Sequence, residues 1–286
     1  MTVIDPALPA TDPLGHTQPR SNLVGGARRL VELDHALPVH DLYDPVGSAL
    51  YDEVGWGGYD TTSAIRLSTR FPGAVLDLAC GSGRIGLALA RRGRAVVGID
   101  ASPAMLDRFR AALDDEPGEV ASAVNLVEGD ICGLDLAAEQ RAAGLAVLGA
   151  TTIVLVEPDR RVELFRRVRA HLRPGGAFAL DFYPLDVADL RSSPKRRSFI
   201  EFGSSTPLSW LLIWQDFDLS RRQERVSMLI ERTGPRGRVG RTVVTTRKWI
   251  VERHAVEADL VAAGFDLDGS AAPGPSAYEW IVGVAR

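Results

Sequence analysis

The stretch AVLDLACGSGRIGLALARRGRAVVGIDAS, residues 74–102, decides the fold of this chain. It opens with the apolar run 74–76, which predicts a short buried strand ending at Asp77. Residues 85–92 predict the helix that follows, and residues 95–99 predict a second strand. The stretch therefore predicts a strand–helix–strand unit of an α/β protein.

Three glycines link the first strand to the helix. Gly81, Gly83 and Gly86 form the pattern G-x-G-x-x-G, in which missing side chains let the backbone approach a ligand closely. The first N–H groups of the helix can bind a negative group. Asp100, at the end of the second strand, is placed to accept hydrogen bonds from ribose hydroxyls. The unit is thus predicted to bind a nucleoside.

Two further features distinguish between nucleoside-binding families, because nicotinamide and flavin enzymes use the same glycine spacing. Asp77 lies upstream of the glycines, where a carboxylate would repel a pyrophosphate but suits a ligand with a free ammonium group. Further on, the run Leu-Arg-Pro-Gly-Gly at 172–176 is predicted to end a helix and lead into a strand over 177–181. Together these motifs resemble class I S-adenosylmethionine-dependent methyltransferases, with D/E-x-x-x-G-x-G and L-x-P-G-G.

The resemblance implies a Rossmann-like sheet with helices on both faces, and S-adenosyl-L-methionine as cofactor, converted to S-adenosyl-L-homocysteine. It places Asp130 beside the adenine, where the carboxylate accepts the exocyclic amine and Ile131 covers the ring. The residues 77–83 then surround the amino-acid end of the cofactor. The expected cofactor-binding residues are Tyr51, Tyr59, Asp77, Ala79, Gly81, Gly83, Asp100, Ala101, Met105, Gly129, Asp130, Ile131 and Gly149.

Composition narrows the class of protein. The chain has 286 residues, 45% of them hydrophobic, and a net charge of −4, which does not favour a nucleic-acid partner. Cys80 and Cys132 make neither a disulfide framework nor a metal-ligand cluster, so no metal is expected. No apolar run approaches the roughly 20 residues of a membrane helix, and residues 1–15 lack a signal-peptide pattern. A cytoplasmic protein without a membrane partner is the expectation, and a homodimer stays open.

The first part of the chain carries three Tyr-Asp pairs. Tyr43, Tyr51 and Tyr59 stand eight residues apart, each with an Asp directly after it. The tyrosines either pack a helical segment over the core or form a lid whose phenols reach the cofactor and the substrate.

Beyond Tyr183 the pattern changes to strands rich in β-branched and aromatic residues. These strands predict an antiparallel sheet inserted after the fifth strand of the core. Trp210, Trp214 and Trp249 are candidate pocket walls, and at least two of them are expected to pack the core of the insertion instead. Two basic runs, 191–197 and 232–241, are either solvated hairpin ends or a patch for an acidic peptide or a nucleotide phosphate. The predicted parts are a flexible N-terminal arm (1–26), a helical lid (27–73), the cofactor-binding core (74–184), the β insertion as substrate lid (185–252), and a C-terminal helix with a strand hairpin (253–286).

A narrower resemblance is to N,N-dimethyltransferases of nucleotide-linked amino sugars in antibiotic pathways. They have a tyrosine lid, a sheet inserted after strand five, and a tail similar to Gly274-Pro275-Ser276 followed by 281–283. That resemblance implies that Tyr43 contacts the substrate and that Tyr59 holds the cofactor carboxylate. Methyltransferases of daptide-type ribosomal peptide pathways are also similar, so the acceptor is either a small-molecule or a peptide amine.

One family residue is missing. The family has a histidine on the loop after strand four, and counting back from Pro174 puts Val154 there. N-methylation remains the leading hypothesis, because a neutral amine attacks a sulfonium methyl group without a strong base. The candidate catalytic residues are Tyr43, Thr151, Asp181 and Tyr183. The alternatives are a small-molecule O-methyltransferase, and a nucleotide-binding regulatory protein that has lost catalysis.

Overall fold

A computed structural model describes residues 19–54, 59–137, 142–183, 185–202, 209–233, 239–269 and 278–286. Most of the predicted arm, the side chain of Tyr59 and the predicted tail at 274–276 lie outside this description. The α-helices are α1 (Gly25–Leu33), α2 (Pro45–Val54), α3 (Tyr59–Arg70), α4 (Arg84–Ala90), α5 (Pro103–Asp114), α6 (Gly118–Ser122), α7 (Pro158–Ala170), α8 (Val187–Ser192) and α9 (Arg253–Ala262). The strands are β1 (Val39–Asp41), β2 (Val75–Leu78), β3 (Val96–Asp100), β4 (Val124–Glu128), β5 (Ala143–Leu148), β6 (Leu172–Phe182), β7 (Lys195–Phe202), β8 (Ser209–Asp218), β9 (Gln223–Thr233), β10 (Val239–Trp249), β11 (Phe265–Leu267) and β12 (Glu279–Ala285).

The core is a seven-stranded sheet with the order β11-β12-β6-β5-β2-β3-β4. Strands β4, β3, β2, β5 and β6 pair in parallel, whereas β12 pairs antiparallel with both β6 and β11. Strands β2, β3 and β5 are buried along their whole length, as expected when helices cover both faces of a parallel sheet. The predicted Rossmann-like architecture is confirmed.

The residues between core strands β6 and β12 include a second sheet. Its order is β1-β10-β9-β8-β7, and strands β7 to β10 form an antiparallel meander, as the sequence predicted. Strand β1 was not predicted. It joins the sheet in parallel, with Val39 opposite Val243, so a segment expected to be purely helical supplies an edge strand. Three residues are too few to show an alternating pattern.

The chain segment 19–26 differs from the predicted flexible arm. It forms a 3-10 helix (Pro19–Asn22) and the start of α1, and Leu23 and Val24 are buried. These side chains pack with Trp214 on the outer face of the second sheet. The indole lies so close to α1 that a Cβ atom on Gly26 would stand 2.5 Å from its Cζ2. Apolar burial therefore fixes this segment.

A smaller difference concerns the elements around residue 172. The Leu-Arg-Pro-Gly-Gly run belongs to β6, not to the end of a helix, because α7 ends at Ala170 and the next residue caps it. Among the described residues, no helix is long and apolar enough to cross a membrane.

Candidate active site

The carboxyl ends of β2, β3, β4 and β5 surround a cavity of about 430 Å³, here called the inner cavity. Ligands of open α/β sheets bind at this edge. Its lining includes most of the predicted cofactor-binding residues, namely Tyr51, Asp77, Ala79, Gly81, Asp100, Ala101, Met105, Gly129, Asp130, Ile131 and Gly149. Gly83 is not part of the lining, and the Tyr59 side chain lies outside the described part of the chain.

Phe109 and Asp100 fix the conformation of the glycine loop, residues 81–83. Gly83 has φ 93°, and a Cβ atom there would stand 2.2 Å from the ring of Phe109, so only glycine fits. Asp100 fixes the same loop, since its Oδ2 accepts the Gly81 N–H at 2.8 Å and its Oδ1 accepts the Ser102 N–H at 2.8 Å. Each carboxylate oxygen keeps a further lone pair for a ligand hydroxyl. Asp100 therefore both shapes the loop and faces the cavity.

Asp77 presents a buried acceptor to the cavity. Its side chain is 1% exposed, and its Oδ2 has no hydrogen-bond partner within the described residues. Burial raises the pKa of the Asp77 carboxyl to about 7, a shift that the Gly86 N–H partly offsets and that nearby Asp60 increases. A buried carboxylate without a partner is unfavourable until a cation reaches it. The residue thus fits the ammonium group of S-adenosylmethionine.

A buried ion pair beside Asp77 was not predicted. Asp60, at the start of α3, is fully buried and binds Arg84 through both carboxylate oxygens. Hydrogen bonding and charge attraction from Asp60 raise the Arg84 pKa, so the guanidinium stays charged. Arg84 also interacts with Tyr51, whose own pKa is raised, mainly by burial. The only sequence signal was the position of Arg84 directly after the glycine loop.

Asp130 has a partner that the sequence did not reveal. Its Oδ1 accepts the Cys132 N–H at 2.9 Å, and its Oδ2 accepts a hydrogen bond from Arg160, on α7, at 2.8 Å. Burial, followed by the charge of Asp130, raises the pKa of the Cys132 thiol to about 11. This end of the inner cavity therefore offers one carboxylate with a fixed orientation, next to the buried side chain of Ile131.

The inner cavity adjoins a second cavity of about 260 Å³, the middle cavity, with which it shares lining residues. The residues that border both are Tyr43, Tyr51, Ala150, Thr152 and Leu155. The other side of the middle cavity is the inner face of the second sheet, which contributes Ile213, Val226 and Met228 among others. The two tyrosines of the lid therefore stand where the cavities meet.

Polar contacts join the segment 43–52 to the core. The Ser102 hydroxyl donates to the Tyr43 carbonyl at 3.0 Å, and the Ser82 hydroxyl donates to Asp52 at 2.6 Å. Arg108 of α5 also binds Asp52. Burial and nearby charge raise the pKa of the Tyr43 phenol far above its ordinary value.

Two of the candidate catalytic residues, Thr151 and Asp181, are joined by a hydrogen bond. Ala150 and Thr151 have left-handed backbones, with φ 56° and 59°, which non-glycine residues adopt at a cost. The Thr151 N–H donates to Asp181 Oδ1 at 2.7 Å, which holds this loop beneath the middle cavity. Asp181 itself is fully buried and lines none of the cavities described here, and burial raises its pKa to about 7.

Tyr183 was predicted to be a catalytic residue, but it lines neither the inner nor the middle cavity. It is 45% exposed, packs edge-on against Tyr278 at 5.7 Å between ring centroids, and lines a third, open cavity of about 1070 Å³, the outer cavity. Val154, at the position of the family histidine, borders the middle and outer cavities. Of the three candidate tryptophans, Trp249 lines the outer cavity, Trp214 packs against α1, and Trp210 packs against Phe199.

Comparison with known proteins agrees with this geometry. Residues 75–176 match the protein family described as a methyltransferase domain. Carboxy-S-adenosyl-L-methionine synthase of Chromohalobacter salexigens is 38% identical over 115 residues, which is 39% of this chain and 40% of that protein. Cypemycin N-terminal methyltransferase of a Streptomyces species is 33% identical over 149 residues, 46% of this chain and 56% of that protein. The matches thus span about half the length of these relatives or less.

A solved structure extends the likeness to nearly the whole fold. The S-adenosylmethionine-bound structure of CalS10, an amino pentose methyltransferase from Micromonospora echinaspora involved in calicheamicin biosynthesis, superposes with a TM-score of 0.68. It is 19% identical in sequence, and the alignment covers 84% of this chain and 97% of CalS10. Residues 75–176 are therefore a methyltransferase domain, the chain has the fold of class I S-adenosylmethionine-dependent methyltransferases, and its cofactor is S-adenosyl-L-methionine.

Proposed function

We propose that this protein transfers a methyl group from S-adenosyl-L-methionine to an amine nitrogen. The bound cofactor supplies an electrophilic methyl group on a sulfonium. The support for this proposal is the junction of the inner and middle cavities, where both are lined by Tyr43 and Tyr51 and where an acceptor in the middle cavity would stand beside the cofactor. Holding two reactants in line at such a junction removes much of the entropic barrier.

The side chains that line the middle cavity favour a nitrogen acceptor over an oxygen acceptor. Its lining, as far as the structure describes it, contains no histidine, aspartate or glutamate. The phenols of Tyr43 and Tyr51 have raised pKa values, so neither is a base near neutral pH. A phenol or an alcohol acceptor needs a base, whereas an unprotonated amine brings its own lone pair. The cavity therefore suits an amine that arrives neutral.

The residues of the inner cavity have distinct roles in this proposal. Asp77 binds the cofactor ammonium, Arg84 faces its carboxylate, and Asp100 accepts the ribose hydroxyls. Asp130 and Ile131 hold the adenine. Arg84 takes the role that the family resemblance gave to Tyr59, since its guanidinium lines the cavity and stays charged against Asp60.

The residues of the junction position the acceptor. Tyr43 orients the amine through its phenol. Asp181 is a positioning residue, because its contact is with the Thr151 backbone and not with a cavity. The proton released by the amine leaves to solvent through the outer cavity, which borders the middle one at Thr151 and Val154.

The acceptor we propose is a primary amine of a natural product or of a ribosomally made peptide, methylated up to twice. The relative named cypemycin N-terminal methyltransferase supports a peptide amine, and the amino pentose methyltransferase CalS10 supports an amino sugar.

The test is release of S-adenosyl-L-homocysteine from a panel of primary amines, phenols and carboxylic acids. We expect turnover with amines only, rising with pH as the acceptor loses its proton. Mass spectrometry of the product gives the number of methyl groups. Turnover confined to phenols or carboxylic acids would overturn the proposal, as would cofactor binding without turnover of any amine.

A further inference from the structure

The inner face of the second sheet carries a buried hydroxyl that no other part of the described chain satisfies. Thr246, on β10, is 1% exposed, lines the middle cavity, and its Oγ1 has no hydrogen-bond partner among the described residues. Its neighbour Thr245 points to the other face, where its hydroxyl donates to the Pro19 carbonyl at 2.9 Å. Buried hydroxyls are nearly always paired, so the one at Thr246 indicates a ligand group.

A cation lies two residues further along the same face. Lys248 borders both the middle and the outer cavity. In the sheet register it stands opposite Glu224, whose carboxylate instead accepts a hydrogen bond from the Gln215 amide at 2.7 Å. Within the described ranges Lys248 forms no ion pair. Thr246 and Lys248 thus form a pair of hydrogen-bond donors at the wall of the middle cavity.

Apart from Gln215, whose amide donates to Glu224, the rest of the wall that the second sheet forms is apolar. Around Thr246 the middle cavity is bordered by Leu42, Ile213, Val226 and Met228. A lysine ammonium only donates hydrogen bonds, so the matching ligand group is an oxygen that only accepts. A carbonyl or carboxylate oxygen has two lone pairs and can accept from both groups at once.

The volume and charge of the outer cavity indicate that the acceptor extends beyond the middle cavity. Its volume of about 1070 Å³ exceeds that of the middle cavity several times. Lys195 and Arg197 of β7 line it, and neither forms an ion pair with another described residue. A ligand that places an amine in the middle cavity therefore has room and positive charge for a chain beyond it.

We propose that Thr246 and Lys248 bind the first carbonyl oxygen of a peptide whose N-terminal amine enters the middle cavity and whose following residues lie in the outer cavity. In a peptide N-terminus the carbonyl carbon lies two bonds from the amine nitrogen, so one small cavity that holds the amine also holds the carbonyl oxygen, and both donors line that cavity. The inference rests on the proposed N-methylation and adds the class of acceptor to it.

The first experiment compares Thr246→Val with the matched control Thr245→Val. Thr246→Val removes an unsatisfied hydroxyl, so we expect the melting temperature to stay or rise, while kcat/KM for a tetrapeptide falls about tenfold, the effect of one hydrogen bond. Thr245→Val loses a satisfied hydrogen bond, so its melting temperature should fall by about 2–4 °C with kcat/KM unchanged. Equal effects of the two variants on kcat/KM would contradict the assignment.

The second experiment changes the acceptor. A tetrapeptide whose first carbonyl is reduced to a methylene should lose more than tenfold in kcat/KM with the wild type, because both donors lose their acceptor, and clearly less with Thr246→Val, where only the Lys248 contact is left to lose. Losses that simply multiply would overturn the inference. So would a nucleotide-linked amino sugar that is a better acceptor than the peptide. These outcomes differ from failure of the proposed function, in which no amine is methylated.

Discussion

Replacing Asp77 by asparagine is expected to change cofactor affinity and protein stability in opposite directions. The carboxylate is buried, its Oδ2 lacks a hydrogen-bond partner among the described residues, and burial raises its pKa to about 7. Asparagine keeps the shape and one acceptor oxygen but cannot carry the charge that the cofactor ammonium needs. A charge-assisted hydrogen bond contributes about 1.5–3 kcal/mol, so affinity should fall at least tenfold.

The same substitution should stabilise the free protein above neutral pH. Because the pKa of Asp77 is raised from 3.8 to about 7, the folded protein holds a proton there that the unfolded chain has lost between these values. The contribution of Asp77 to stability therefore falls as pH rises through this window, and asparagine removes that loss. Asp181 has a similar shift and is present in both proteins, so the difference between them isolates Asp77.

Cofactor binding should carry the matching pH dependence. A carboxyl with a pKa of about 7 is ionised in about one molecule in eleven at pH 6 and in about half at pH 7, so the Kd should tighten about fivefold over this interval. The assay is calorimetry with S-adenosyl-L-homocysteine, and 5′-methylthioadenosine, which lacks the amino-acid end, is the control ligand. If both ligands lose affinity equally in Asp77→Asn, or neither does, the ammonium is not bound by Asp77.

Four further outcomes are expected. Asp100→Ala should weaken S-adenosyl-L-homocysteine at least tenfold by calorimetry and lower the melting temperature, because two loop N–H groups lose their acceptor; unchanged affinity would remove the ribose assignment. Tyr43→Phe should lower turnover about tenfold with the pH profile still following the acceptor amine; a loss of a thousandfold with cofactor binding intact would make Tyr43 a proton acceptor. Gly26→Ala should reduce the free energy of unfolding by about 1–3 kcal/mol in denaturant titrations, since its Cβ would overlap Trp214; no change would mean that α1 does not depend on this contact. Cys132, with a pKa of about 11, should react with iodoacetamide far more slowly than free cysteine at pH 8 and be protected by S-adenosyl-L-homocysteine; rapid alkylation in the presence of the ligand would place the thiol outside the cavity.

The sequence predicted the parts of the site that depend on strand order. Asp77 and Asp100 lie near the carboxyl ends of the buried parallel strands β2 and β3, and such ends share one edge of the sheet, so local patterns were sufficient to bring them together. The ion pair of Asp60 with Arg84 was missed because it joins two helices, and neither helix sequence shows how the two pack together. The partner of Asp130 was missed for the same reason, as Arg160 follows it by thirty residues.

The second sheet contains contacts that local sequence patterns do not predict. Its four long strands are rich in β-branched and aromatic residues, and the sequence predicted all of them. Strand β1 has only three residues, and its partner lies some two hundred positions away. The buried side chain of Trp214 equally depends on Gly26, at the other end of the chain. Nothing local to either residue shows that they meet.

The pairing of β1 with β10 also determines when this region can fold. Val39 pairs with Val243 and Leu23 packs with Trp214, so the N-terminal segment is synthesised long before the residues that it contacts. Contacts of such high sequence separation form slowly, and apolar residues stay exposed in the meantime. The segment that carries Tyr43 and the second sheet line the same middle cavity, and this late pairing joins them. A ribosome-bound chain that ends before residue 239 therefore holds a complete glycine loop but no finished middle cavity.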